Sequence, residues 1–386
     1  MSSSAPMAKL ADIADLNPPL AASLSDGVDV SFMPMAAVDA DSLTAVDRET
    51  RRYSDVRKGY TPFLDGDVLV AKITPCFENG KIAQVRLSRR YGFGSTEFHV
   101  VRPRSDRADA RYLAHFLRQD RIRKQGESRM TGSAGQRRVP EHFLAGLTIP
   151  FPPLHEQRRI AEILDKADAL RAKRRAALAQ LDTLTQSIFL DMFGDPATNP
   201  KGWPINGLSM FGEISTGKTP PTGNVGMFDG EVPFATPRDL DANLESTQRT
   251  LTAAGSAFTR IVRAGSALVG CIGNIGKMAK TPVATAFNQQ INAVEWGSDV
   301  DDDYGIAALG FSVPQMLTLA SSTTVPILNK SGFSKVRIAV PPLAMQRDFA
   351  ARISSVGQLK LMHRAALEFA NELFSALQHR AFRGEL

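Results

Sequence analysis

Residues 151–170 read FPPLHEQRRIAEILDKADAL, and residues 340–359 read VPPLAMQRDFAARISSVGQL. Pro152-Pro153-Leu154 returns as Pro341-Pro342-Leu343, an offset of 189 residues. The same offset carries Gln157 to Gln346, Arg158 to Arg347, Leu184 to Leu373 and Phe193 to Phe382. It also carries Arg175-Ala176-Ala177-Leu178 to Arg364-Ala365-Ala366-Leu367 without a gap. The paired prolines impose an extended entry and stop a strand, so a helix is expected just after each pair.

A looser repeat lies upstream of each copy. VSFMPMAAVD (30–39) resembles VPFATPRDLD (232–241), GDVLVAKI (66–73) resembles GSALVGCI (265–272), and NGKIA (79–83) resembles IGKMA (275–279). The offsets drift from 202 to 199 to 196, as insertions in surface loops produce. The chain is therefore an internal duplication of the form globule, helix, globule, helix. The segments are 1–150, 151–197, 198–338 and 339–386.

The globules read as mostly β. Short apolar runs at Asp67–Ile73, His99–Val101 and Ser266–Ile272 are broken by Gly, Pro and Asn. A helix is expected near Ala110–Gln125, and a weaker one from Tyr304 to Leu319, interrupted by Pro314. Leu147–Phe151 and Val336–Val340 read as the strands that close each globule.

The two helical segments share a heptad frame. Ile160, Ile163, Ala167, Leu170, Arg174, Ala177, Leu181, Leu184 and Ile188 alternate spacings of three and four. Adding 189 gives Phe349, Arg352, Val356, Leu359, His363, Ala366, Ala370, Leu373 and Leu377 in the same register. Arg174 and His363 are the polar mid-seam positions. The pattern predicts two long helices packed as an antiparallel coiled coil in a pseudo-twofold molecule. The fold class is α+β, two mostly β globules separated by that helix pair. A helix over 155–190 would be about 54 Å long.

Composition narrows the function. Only two cysteines, Cys76 and Cys271, are present, too few for a disulfide framework or a zinc site. The first residues, MSSSAPMAKLADIADL, hold no apolar leader core, and no run is apolar enough to span a membrane. A cytoplasmic protein with no membrane partner is expected. Net charge is +6. Residues 102–138 hold eleven Arg/Lys against four Asp/Glu, whereas 198–338 hold eleven of each. The basic run is either a solvated face or, with the small-residue loop Gly132–Arg138 at its end, a contact for a polyanion.

Two motifs are decoys. NPPL (17–20) has the start of an adenine-methyltransferase motif, but Leu20 cannot stack on a flipped base and no Gly-rich cofactor turn precedes it. GCIGNIGKM (270–278) lacks the glycine spacing and the Ser/Thr of a phosphate loop, and reads as strand, turn, strand. No metal-ligand or catalytic spacing is found among the six histidines.

The whole chain resembles the specificity subunit (HsdS) of type I restriction–modification systems. IPFPPLHEQRRIAEILDKADAL with MFGDPATNPKGWP (192–204), and AVPPLAMQRDF in the second copy, carry the resemblance. STGKTPP (215–221), STEFHVVRP (95–103) and TTVPILNKSGFSKVRIAVPPL (323–343) add to it. The second copy departs by lacking the acidic residue found at Glu156.

The resemblance implies that each globule is a target-recognition domain for half of a split sequence in double-stranded DNA. The helices would be spacers and docking sites for two modification (HsdM) subunits, with restriction (HsdR) subunits joining them. This chain would hold no cofactor and no active site; S-adenosylmethionine, ATP and Mg would belong to the partners. Two other readings stay open: a self-contained DNA adenine methyltransferase, and a coiled-coil DNA-binding scaffold or regulator without a methylation partner. Loop side chains that hydrogen-bond base edges or phosphates are the candidate DNA contacts. In the first globule these are Lys72, Thr74, Asn79, Lys81, Arg129, Gln136, Arg137 and Arg138. In the second they are Lys218, Thr219, Arg238, Asn274, Lys277, Asn288, Gln289, Gln290 and Lys330.

Overall fold

A computed structural model describes residues 6–20, 23–133, 135–240, 244, 246–321 and 325–386. The first five residues of the N-terminal stretch, Asp241 of the upstream repeat, and Thr323 and Thr324 of the last family run lie outside the described residues.

The chain forms two compact units, Met1–Ala176 with Arg364–Leu386, and Ala177–His363. Two helices far longer than the rest, Leu154–Phe193 and Leu343–Ala381, each begin in one unit and end in the other. The first has 40 residues, about 60 Å at the α-helical rise.

Each unit repeats one architecture. In the first, Ala14–Leu16, Phe98–Pro103, Val68–Ala71 and Ile82–Arg86 lie side by side in that order, with Thr44–Val46 added at the edge. In the second, Gly212–Thr216, Ile291–Trp296, Ala267–Gly270 and Met278–Lys280 take the same order. A second sheet is ordered Glu49–Arg52, Asp29–Met33, Tyr91–Gly94, Thr61–Leu64 in the first unit. Its counterpart is Arg249–Leu251, Phe228–Ala235, Thr285–Phe287, Ile261–Val262. Both copies of this sheet have a parallel central pair between antiparallel outer pairs. Ala267–Gly270 pairs antiparallel with Met278–Lys280, so GCIGNIGKM is a strand, a turn and a strand.

The helical expectations are met with one refinement. Residues 110–125 carry two helices, Ala110–Leu117 and Asp120–Ser128. The weaker helix is also two, Asp302–Phe311 and Val313–Leu319, and Pro314 stands in the first turn of the second, where its missing N–H leaves no bond unmade.

The repeated glutamine is a buried clamp. Gln157 is fully buried, accepts the Asp109 N–H at 3.0 Å, and donates to the carbonyls of Arg107 at 3.0 Å and Pro152 at 2.9 Å. Gln346 accepts the Asp301 N–H at 2.8 Å and donates to Asp299 at 3.0 Å and Pro341 at 2.7 Å. Asp109 and Asp301 in turn cap the helices Ala110–Leu117 and Asp302–Phe311. Within those helices the buried Tyr112 and Tyr304 donate their hydroxyls to the carbonyls of Pro150 at 2.8 Å and Ala339 at 2.6 Å. One amide side chain thus locks the start of a long helix to its own globule. Glu156, which the second copy lacks, pairs with Arg159 at the surface.

The helices run antiparallel. In the first unit Arg171 donates to Asn371 at 2.8 Å and lies 4.5 Å from the centroid of Phe374. In the second unit Lys360 pairs with Asp182 at 2.9 Å.

The seam differs from the expected one at alternate positions. Ile160, Ala167, Phe349 and Val356 are buried, and Leu181, Ile188, His363 and Leu377 half-buried, as a packed stripe requires. Ile163 is half-buried, but Leu170, Leu184, Leu359 and Leu373 are exposed, and so is Arg174. The next residue in each case, Leu164, Arg171, Thr185, Lys360 or Phe374, faces inward instead. The spacing therefore runs four and three rather than three and four. The reason is that each helix also closes a globule core: Ile160, Ala161 and Leu164 join the first core, and Phe189, Phe193 and Phe349 the second. A helix serving two contact directions buries a wider, rotated arc.

Candidate nucleic-acid interface

Each unit holds one loop pair built on the same backbone frame. In the first, the turn after Val68–Ala71 is latched to residues 131–139. Val139 N–H donates to the Lys72 carbonyl at 2.8 Å, Thr74 N–H to Arg137 at 2.9 Å, and Thr131 and Arg138 exchange bonds at 3.0 and 2.8 Å. In the second, Leu328 N–H donates to Cys271 at 2.8 Å, Gly273 N–H to Pro326 at 3.1 Å, and Ser321 N–H to Ile327 at 2.9 Å. Ile73 bridges Arg138 as Ile272 bridges Ile327.

The frame is common and the side chains are not. Lys72, Thr74, Arg137 and Arg138 occupy the places of Cys271, Gly273, Pro326 and Ile327. A third turn joins each frame: Lys72 N–H donates to Glu97 at 2.9 Å, and Cys271 N–H to Gln290 at 2.8 Å. The backbone frame is thus shared, while the side chains at its equivalent positions differ in charge and polarity.

Several predicted contacts are held by the protein itself. Arg138 clamps Glu97 with Nε to Oε2 at 2.9 Å and Nη2 to Oε1 at 2.8 Å, so it fixes the loop and is not a free cation. That hydrogen bond holds the Glu97 carboxyl below its ordinary pKa. Thr74 donates to Glu78 at 2.7 Å, and Lys81 to the Met35 carbonyl at 3.2 Å. Asn288 is buried, donating to Gln290 at 3.2 Å and accepting its N–H at 3.1 Å, so two amides of the run 288–290 shape a turn. Gln289 accepts from Thr219 at 2.6 Å.

Several of the candidates reach the surface. Asn79, Arg129 and Gln136 are exposed and Arg137 and Lys72 half-buried in the first unit. Lys218, Arg238, Asn274, Gln289 and Lys330 are exposed in the second, and Lys277 is half-buried. Lys218 N–H donates to the Phe287 carbonyl at 3.0 Å, which brings it beside the 288–290 turn. A Cβ on the preceding Gly217 would collide with the carbonyl oxygens of Phe287 and Asn288, so glycine is required for that approach.

The basic run 102–138 has a third role that charge counting does not distinguish. Arg102 pairs with Asp67 at 2.7 Å, Arg104 with Asp15 at 2.9 Å, Arg111 with Asp165 at 2.6 Å, and Arg123 and Lys124 with Asp120 at 3.3 and 2.7 Å. With Arg138, six of its eleven cations are paired with carboxylates, and four of those carboxylates, Asp67, Asp15, Asp165 and Glu97, come from distant parts of the chain. Asn17 of NPPL is also structural: its amide donates to Glu141 at 2.7 Å and its carbonyl accepts from Val100 at 2.9 Å. Among the described residues, no group of His, Cys, Asp or Glu is arranged to hold a metal ion, and no helix is long and apolar enough to cross a membrane. Sequence reasoning missed Glu97 and the tyrosine pair, because their partners lie far along the chain.

A family model described as the type I restriction modification DNA specificity domain matches residues 7–180 and again 200–368. The type I restriction enzyme EcoAI specificity subunit of Escherichia coli is 40% identical over 184 residues, 46% of this chain and 31% of the relative. The EcoEI specificity subunit of the same species is 42% identical over 158 residues, 41% of this chain and 26% of the relative. These matches thus span less than a third of either relative's length. A solved chain of a type I R-M system, described for its complex assembly and conformational transition, shares the fold with a TM-score of 0.60 at 21% identity, covering 99% of this chain and 98% of that one. Two copies of one architecture, each clamped by a buried glutamine to its own long helix and each matched by the same family model, place this chain in the family of type I restriction modification DNA specificity domains.

Proposed function

We propose that the chain is the non-catalytic DNA-specificity subunit of a cytoplasmic type I restriction–modification complex. Each unit reads one half of a bipartite target in double-stranded DNA. The observation that carries this is the duplicated loop frame dressed with different side chains, because independent readers on a common scaffold are what a split target requires.

The long helices are docking sites for two modification subunits, which restriction subunits join. Exposed apolar side chains support that role: Leu170 and Phe369 on the first unit, Leu361 and Met362 on the second. S-adenosylmethionine, ATP and Mg belong to those partners in this reading. The test is to express the chain with its modification subunits and map methylated bases in the host genome by long-read sequencing. A bipartite motif is expected. Replacing residues 198–338 with a relative's equivalent should change one half-site and leave the other. A continuous motif, or a change in both halves together, contradicts the proposal.

A further inference from the structure

Both loop frames are tied to the middle of their sheets by one side chain, and the two ties differ chemically. In the first unit His99, almost fully buried, places Nε2 2.8 Å from the Val139 carbonyl and Nδ1 3.1 Å from the Asn17 amide nitrogen. A carbonyl only accepts, so Nε2 carries the proton and Nδ1 accepts from Asn17. In the second unit Asn292, fully buried, donates Nδ2 to the Leu328 carbonyl at 2.9 Å and accepts the Thr216 hydroxyl at 2.7 Å. Val139 and Leu328 are the residues whose N–H groups latch the loops to the turns at Lys72 and Cys271. The two ties are therefore the same device, one donor and one acceptor, built once from an imidazole and once from an amide.

We propose that His99 and Asn292 are positioning residues for the two DNA-reading loops, and that this makes recognition by the first unit, but not the second, sensitive to pH. The inference rests on the specificity-subunit reading. Protonating His99 would put an Nδ1–H against the Asn17 amide hydrogens, so the ring loses its anchor on Asn17 and shifts the loop that Nε2–H still holds through Val139; Asn292 has no proton to gain near neutrality. Burial holds the His99 pKa below its ordinary value, against the Val139 carbonyl, which raises it. Of the charges facing the ring, Lys72 on the latched turn pushes the same way, while Glu141 and Glu97 oppose. Glu97 is itself neutralised by Arg138.

The test is binding of the full chain, assembled with its modification subunits, to duplexes carrying both half-sites or only one, between pH 8 and 5. Preference for the first half-site should fall by up to about tenfold per pH unit below the histidine pKa, the limit for one proton. Preference for the second should stay level. His99→Asn, which copies the second unit, should lose the pH dependence. Asn292→His should confer it on the second half-site. An unchanged pH profile in His99→Asn, or an equal fall for both half-sites in the wild type, overturns the inference. Absence of any half-site preference at pH 8 would instead overturn the specificity reading, and this inference with it.

Discussion

Gln157 accepts the backbone N–H of Asp109 at 3.0 Å, and Asp109 caps the helix that carries Tyr112. A long helix is thereby joined to a globule through a single buried amide. Replacing Gln157 by Leu leaves the Asp109 N–H and two carbonyls without partners in the interior. We expect a loss of about 3 kcal/mol in urea unfolding, mostly in the first unit, and a like loss in the second for Gln346→Leu. Asp109→Ala should cost about 1 kcal/mol. The double variant Gln157→Leu, Asp109→Ala should cost less than the sum, because both act on one helix start.

Neutralising Arg129 and Arg137 should flatten the slope of log DNA affinity against log salt by up to about two units. Arg138→Gln should leave the slope nearly unchanged, because its guanidinium already faces Glu97. Titration of nonspecific duplex against salt separates the cases; a full unit of change from Arg138→Gln alone would mean that it reaches phosphate.

Acid should weaken the first unit selectively. His99 and His115 both have pKa values lowered mainly by burial, and both lie in that unit. A base with a depressed folded pKa binds fewer protons folded than unfolded, so its stability contribution is complete above the ordinary pKa of 6.5 and declines as pH falls below it. Hydrogen exchange between pH 7.5 and 5.5 should show protection falling in residues 98–139 and little change in 285–328. His115→Gln should reduce the difference. At lower pH the Glu97 carboxyl, whose pKa is depressed, loses its contribution as pH falls from its ordinary value of 4.5 through the folded one.

The rotated seam is testable by paired substitutions. Leu164→Ala, at a fully buried site, should destabilise by about 3 kcal/mol. Leu170→Ala, half exposed, should cost under about 1 kcal/mol in the isolated chain. Thermal melts of the two variants decide between the registers; equal losses would restore the expected one.

A whole heptad inserted in both helices keeps the packed face in phase and lengthens each by about 10 Å. The unread gap in the methylated motif should then grow by about three base pairs at 3.4 Å per pair. Two inserted residues should disrupt assembly. An active heptad variant with an unaltered gap would place spacing control elsewhere.

Duplication, the helix starts and the mostly β globules were legible in the sequence because they rest on local chemistry. Proline pairs impose an extended entry, heptad spacing marks an amphipathic helix, and a constant offset survives wherever no loop intervenes. The assignment of side chains to surface or frame was not legible. Arg138 and Arg129 are alike as residues in a basic run, yet one meets a carboxylate 41 residues away and the other meets solvent. Leu170 and Leu164 are alike as helical leucines, and only the globule core to which Leu164 also belongs decides which is buried. His99 and Asn292 share no chemistry in sequence, and their equivalence exists only because the strands Phe98–Pro103 and Ile291–Trp296 occupy the same place in their sheets. Composition and periodicity report what each residue prefers; partners distant along the chain are chosen by packing, and that choice made a cation structural, rotated a seam and set a histidine where an amide stands in the other copy.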